Sequence, residues 1–148
     1  MNPTAAKALF DAAVSGLSER LLQTRGWFVH SRVWPTVDLS FRHSERQELR
    51  LRLSCDDWND TPPSVDLLAP DGSFLVGLPN QRPGPSPIYN AGAHPRTGRP
   101  FVCMAGVREY HEHPSHVNDL WANYKALDAY TLGEIVTQLW RGWERYWP

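Results

Sequence analysis

Cys103 is one of two cysteines in the chain. It stands eight residues ahead of His111, the first histidine of the run His111, His113 and His116, with Glu109 and Glu112 interleaved. A thiolate attacks acyl carbon and yields a thioester, which is reactive yet isolable. An ordinary thiol titrates near pKa ~8.5, so some thiolate exists at neutral pH without a strong base. The same residues offer a second chemistry. Zinc accepts thiolate, imidazole and carboxylate in tetrahedral sets, and Cys103, Glu109, His111 and His113 would supply one. In an extended segment His111 and His113 point the same way. The spacing departs from established zinc patterns, however. H-E-x-x-H needs histidines four apart on a helix, whereas the interval from His111 to His116 is five and Pro114 lies inside it. The deaminase signature with P-C-x-x-C is missing, because one cysteine alone lies in this region. A third reading is a buried structural thiol, and that is the reading for Cys55 at the end of an alternating strand.

These residues must be positioned by the elements around them. HPRTGRPFVC, residues 94–103, delivers the chain to the thiol through a stiff, turn-rich approach. It closes a stretch from Pro79 to Pro100 that holds six of the thirteen prolines and three glycines, with no periodicity. A loop of that length in a compact domain is either functional or disordered, and its delivery of Cys103 favours function. Upstream, residues 4–24 read as an amphipathic helix with Phe10, Val14, Leu17 and Leu21 on one stripe and Gly26 as its stop. The period then changes to two. RGWFVHSRV is a first strand; TVDLSFR aligns Val37, Leu39 and Phe41; ELRLRLS aligns Leu49, Leu51 and Leu53, with HSERQ as the connection between them. SVDLLAPDGSFLVGL reads as a fourth strand with a Pro-Asp-Gly turn. After the histidine run a last helix spans 131–146, opened by the Thr131/Glu134 capping pattern and carrying Ile135, Leu139, Trp143 and Trp147. The expected class is α+β: an N-terminal helix, a four-stranded antiparallel meander, an active-site loop and a C-terminal helix.

The 148 residues suffice for one domain, 1–148, with a core that needs no staples. A net charge of −1 gives no reason to expect nucleic acid. No run of about 18 apolar residues is present, so no membrane span is expected. Lys7 and Asp11 interrupt the first apolar stretch, unlike a signal-peptide core. Two cysteines make no disulfide framework, which points to a reducing, cytoplasmic setting. Seven tryptophans are many for this length. Trp121, Trp140, Trp143 and Trp147 read as core or, where exposed, as a partner surface.

The order of these features resembles the ubiquitin-conjugating enzymes, above all their divergent bacterial relatives encoded beside ubiquitin-like proteins. The resemblance runs along nearly the whole chain. WNDTPPSVDLL, residues 58–68, is similar to the family's Tyr-Pro…Pro-Pro…Val-x-Phe segment. His94 and Pro95 resemble the start of its His-Pro-Asn motif, Cys103 follows nine residues later, and Trp121 resembles the tryptophan ahead of the next helix. One bacterial group carries a Cys-Glu-His-His pattern of predicted metal binding, which Cys103, Glu109, His111 and His113 would match. Three departures stand out. Arg96 replaces the motif asparagine, the segment from Cys103 to Trp121 is longer than usual, and nothing corresponds to the family's last two helices.

The resemblance implies a cytoplasmic transferase. Cys103 would accept the C-terminal acyl group of a ubiquitin-like protein from an activating enzyme and pass it to an amine of a target protein. It implies that His94 shapes the loop, that Arg96 stabilises the oxyanion, and that His111 or His113 takes the amine proton. No cofactor is implied; zinc belongs to the alternative, as does a non-catalytic adaptor for a ubiquitin-like partner. Relatives of this kind are linked to antiviral defence, and that too is an implication of resemblance.

Overall fold

In a computed structural model describing residues 1–148, the alternating segments form a four-stranded antiparallel sheet in the order β1-β2-β3-β4. The strands are β1 Trp27–Ser31, β2 Thr36–His43, β3 Arg46–Ser54 and β4 Ser64–Leu68. Leu39 faces Leu51 and Phe41 faces Leu49 across the central pair, while Leu53 faces Val65 on the next. A period of two places all of these on one side, and Val37, Leu39, Phe41, Leu49, Leu51 and Leu53 are fully buried. The opposite side is polar. There Asp38 accepts two hydrogen bonds from Arg50, at 2.8 and 3.0 Å.

The N-terminal helix expected over 4–24 is two helices: α1 Pro3–Val14 and α2 Glu19–Arg25. The apolar stripe continues across the break, with Phe10 and Leu17 buried. The backbone is interrupted at Ser15–Ser18, where Ser18 Oγ accepts from Leu21 N and starts a new helix. Gly26 ends α2 as expected. Its φ of +68° is left-handed, and a Cβ there would lie 2.5 Å from the Arg42 carbonyl oxygen.

The last helix, α4 Leu132–Tyr146, covers the apolar side of the sheet. Thr131 Oγ1 accepts from Glu134 N, the capping bond that the sequence pattern implies. Ile135, Leu139 and Trp143 are buried, Trp143 lies against Phe41 with ring centroids 5.6 Å apart, and its Nε1 donates to Gln47 O. Trp121, Trp143 and Trp147 are therefore core residues, and Trp140 is half-buried against Trp27.

The fourth expected strand is shorter than its sequence pattern. β4 ends at Leu68, Gly72 turns the chain at φ +90°, and the return arm touches β4 through Leu75 N and Leu67 O. The proline-rich stretch 79–100 is held in place by specific bonds. Arg82 N donates to Tyr146 O, Tyr146 Oη to Pro85 O, and buried Tyr89 Oη to Leu139 O. Within it, β5 Tyr89–Asn90 pairs with β6 Phe101–Val102. No helix is long and apolar enough to cross a membrane.

Cys55 is buried in this core, and desolvation pushes its thiol up to about 12. In the unfolded chain the same thiol titrates near ~8.5. The folded state therefore retains a proton that the unfolded state releases, and stability falls as pH rises between those values, by about 1.4 kcal/mol per pH unit at the steepest. Urea unfolding of Cys55→Ala measured across pH 8–11 is expected to show a slope shallower by one proton than the parent's; equal slopes would contradict it.

Candidate functional site

Cys103 follows β6 directly, and its backbone N–H donates to Ile88 O at 2.7 Å. The thiol is half-buried, in contrast to Cys55. Its partner is His116, whose Nε2 lies 3.6 Å from Cys103 Sγ. Burial pushes the Cys103 thiol up from its ordinary value. A thiol so placed is a poor resting thiolate, and the imidazole in contact with it is a group able to accept its proton.

Three groups hold His116 in that position. The ring stacks on Tyr110 with centroids 4.1 Å apart and 15° between planes. Tyr110 Oη donates to Asp119 Oδ2 at 2.6 Å, and Tyr124 Oη donates to the same carboxylate. These two bonds hold the Asp119 carboxyl below its usual range and push the Tyr110 phenol up. Asp119 stays ionised, fixes Tyr110, and Tyr110 presents its face to the imidazole. The resemblance implies an amine-proton role for His111 or His113, the first two histidines of the run. The turns after Pro114 bring the last histidine of the run to the sulfur instead.

His111 is bonded at both nitrogens. Nε2 accepts from Gly106 N at 3.0 Å and Nδ1 donates to Asp119 O at 2.6 Å. It pins the loop after Cys103 to the segment ahead of Trp121, and no lone pair is left for a proton. His113 stacks on Phe101 and its Nδ1 accepts from Ser115 N. Its ring centroid is 6.0 Å from that of His116.

His94 is 1% exposed, and it too has both ring nitrogens bonded. Nε2 donates to Glu109 O at 2.8 Å, in the short helix α3 Arg108–Glu112, and Nδ1 accepts from Arg96 N at 3.1 Å. These bonds join the loop ahead of Cys103 to α3. Arg96, the residue expected to stabilise an oxyanion, is paired with two carboxylates: its Nε donates to Glu112 Oε2 at 2.6 Å and its Nη2 approaches Glu109 Oε1 at 3.5 Å.

The four donors of the zinc alternative do not converge. Buried Glu109 accepts from Ser64 Oγ and from Val65 N, fastening α3 to β4. His111 has no free nitrogen, and no group of three or more His, Cys, Asp or Glu side chains is gathered so as to hold a metal ion. The residues do not fit a zinc centre.

Residues 90–143 match the Y4jH-like family, described as the Y4jH family. Over 41 residues the chain is 65% identical to the uncharacterized protein y4jH of Sinorhizobium fredii (strain NBRC 101917 / NGR234), a segment that is 28% of this chain. The match spans a fifth, 20%, of that relative's length. The family-matched segment holds His94, Arg96, Cys103, Glu109, His111, His113, His116 and Asp119 together. The N-terminal helices and the meander lie outside the residues that the family matches.

Two measurements follow from this geometry. Iodoacetamide is expected to alkylate Cys103 with a rate that rises through alkaline pH, its midpoint above the ordinary thiol value of ~8.5, while folded protein spares Cys55. A midpoint below neutrality would reveal a resting thiolate and contradict the geometry. Treatment with excess chelator is expected to leave the melting temperature unchanged, and a fall of several degrees would restore the zinc reading.

Proposed function

We propose that the protein is an acyl carrier and transferase of the ubiquitin-conjugating type, in which Cys103 holds the C-terminal acyl group of a ubiquitin-like protein as a thioester. The observation that carries the proposal is the contact between a half-buried thiol and His116, at the end of a loop pinned by His94. The helix, meander, loop and helix order supports it, since it places Cys103 at an ordered loop exit and not inside the core.

In the first step His116 takes the Cys103 proton as the sulfur attacks the carbonyl carbon of the thioester on an activating enzyme. The new carbon–sulfur bond forms, the old one breaks, and the departing thiolate recovers the proton from His116. In the second step an amine of the target protein attacks the same carbon. His116 removes the amine proton, and Cys103 leaves as a thiolate that is reprotonated. Orientation supplies much of the rate when the nucleophile needs little activation. His94 and His111 provide it by fixing the backbone on either side of the sulfur, and Arg96 contributes by tying the loop to Glu109 and Glu112. The expected partners are the ubiquitin-like protein, its activating enzyme and a target protein in the cytoplasm of a bacterium, with antiviral defence as the setting that the resemblance implies.

The test combines the protein with its cognate activating enzyme, the ubiquitin-like protein and ATP. A thiol-reducible adduct is expected in the parent and absent in Cys103→Ala. His116→Ala is expected to slow both charging and discharge, by roughly 10² or more, the scale of general-base catalysis. His113→Gln is expected to slow neither. A Cys103→Ala protein that still forms the adduct overturns the assignment.

A further inference from the structure

Beside Cys103 a groove of about 290 Å³ runs between the proline-rich loop and α4. Pro85, Ile88 and Met104 form its apolar part, and Arg141, Arg145 and Tyr146 line it from the helix. Two of its lining residues adjoin Cys103 through the backbone: Ile88 O accepts from Cys103 N, and Met104 is the next residue in the chain.

The groove is built rather than incidental. Ile88 lies directly over Gly142, where a Cβ would meet Ile88 Cδ1 at 2.4 Å, so the glycine is what lets the loop lie against the helix. Gly84 likewise approaches Tyr146, at 2.8 Å from where its Cβ would stand. Ser86, between Pro85 and Pro87, holds a left-handed φ of +55°, the one non-glycine residue to do so, which fixes the bend at the lip.

The charge along this groove has one sign. Arg141 and Arg145 line it one helical turn apart, and neither takes part in a salt bridge, as is also true of Arg20, Arg25 and Arg46 elsewhere on the molecule. Two like charges at that spacing repel and weaken a helix. The carbonyl end of α4 offsets part of this; Arg145 packs over the Tyr146 ring at 5.6 Å, and neither guanidinium has a carboxylate partner. Arg82, also outside the salt bridges, is fixed at the same end by its backbone bond to Tyr146.

We infer that this groove selects an acidic tail: the partner whose acyl group Cys103 accepts carries Asp or Glu side chains just upstream of its C-terminus, and these bind Arg141 and Arg145. The inference rests on the acyl-transfer reading and adds a sequence requirement to it. Apolar contact with Ile88 and Met104 guides the extended tail toward the sulfur, and the two arginines set which tails enter.

The experiment uses short peptide thioesters of equal length ending in glycine, with Glu, Gln or Lys at the interior positions, and follows acylation of Cys103 by intact mass. The acidic peptide is expected to half-saturate at a concentration lower than that for the basic one by about 3- to 10-fold, the scale of two exposed ion pairs. The difference should shrink as salt is raised, and Arg141→Glu combined with Arg145→Glu should reverse the order. Alkylation by neutral iodoacetamide should be unchanged in that variant, which shows that the thiol itself is intact. Equal half-saturation by all three peptides overturns the acidic-tail inference and leaves acyl transfer standing. Acylation by none of them, with alkylation preserved, overturns both.

Discussion

The buried imidazole of His94 is the constraint on which the site depends. Its two nitrogens bond to backbone groups of Glu109 and Arg96, so one side chain joins the loop that precedes Cys103 to the helix that precedes His116. Leaving either backbone group unpaired in that dry setting would cost about 1–3 kcal/mol. The distance between sulfur and His116 is set by this joint together with two others. Glu109 fastens α3 to β4, and His111 ties the Gly106 backbone to Asp119. Three of the polar residues that the sequence marks out, His94, Glu109 and His111, thus serve as struts, and His116 meets the thiol.

That division explains a mixture of chemistry and structure that spacing alone does not resolve. A histidine whose nitrogens both face backbone groups contributes rigidity, and a carboxylate that accepts from Ser64 and Val65 is a staple between elements. The Tyr110, Tyr124 and Asp119 set extends the same logic outward: a carboxylate kept ionised by two phenol donors holds the aromatic face on which His116 rests. The sheet and α4 supply the rigid floor. Leu39, Leu51 and Leu139 are fully buried and the Thr131 cap starts α4, while Tyr89 and Gly142 bring the loop down onto that helix.

The meander and the last helix were legible in the sequence because periodicity reports burial directly. Val37, Leu39 and Phe41 alternate, and they are buried; Thr131 and Glu134 have capping spacing, and they cap. The break between α1 and α2 was not legible from apolar spacing, since Phe10 and Leu17 keep one stripe across it while Ser18 restarts the backbone. In the site, Cys103 and His94 were found by type and order. Which histidine meets the sulfur is not legible, because residues 113–120 are neither helix nor strand and no period says which one turns toward it. The stacking of Tyr110 on His116 decides it, and a contact between side chains six apart in a turn leaves no trace in a pattern.

The measurement that bears most directly on the central claim is chemical rescue at Cys103. Single-turnover acylation from a small thioester would be followed in the parent and in His116→Ala, with and without free imidazole in the buffer. The variant is expected to be slow, with a rate that climbs toward the parent's as imidazole is added, while the parent hardly responds. A variant as fast as the parent, or one that imidazole leaves unchanged although its fold is intact, would contradict the role given to His116.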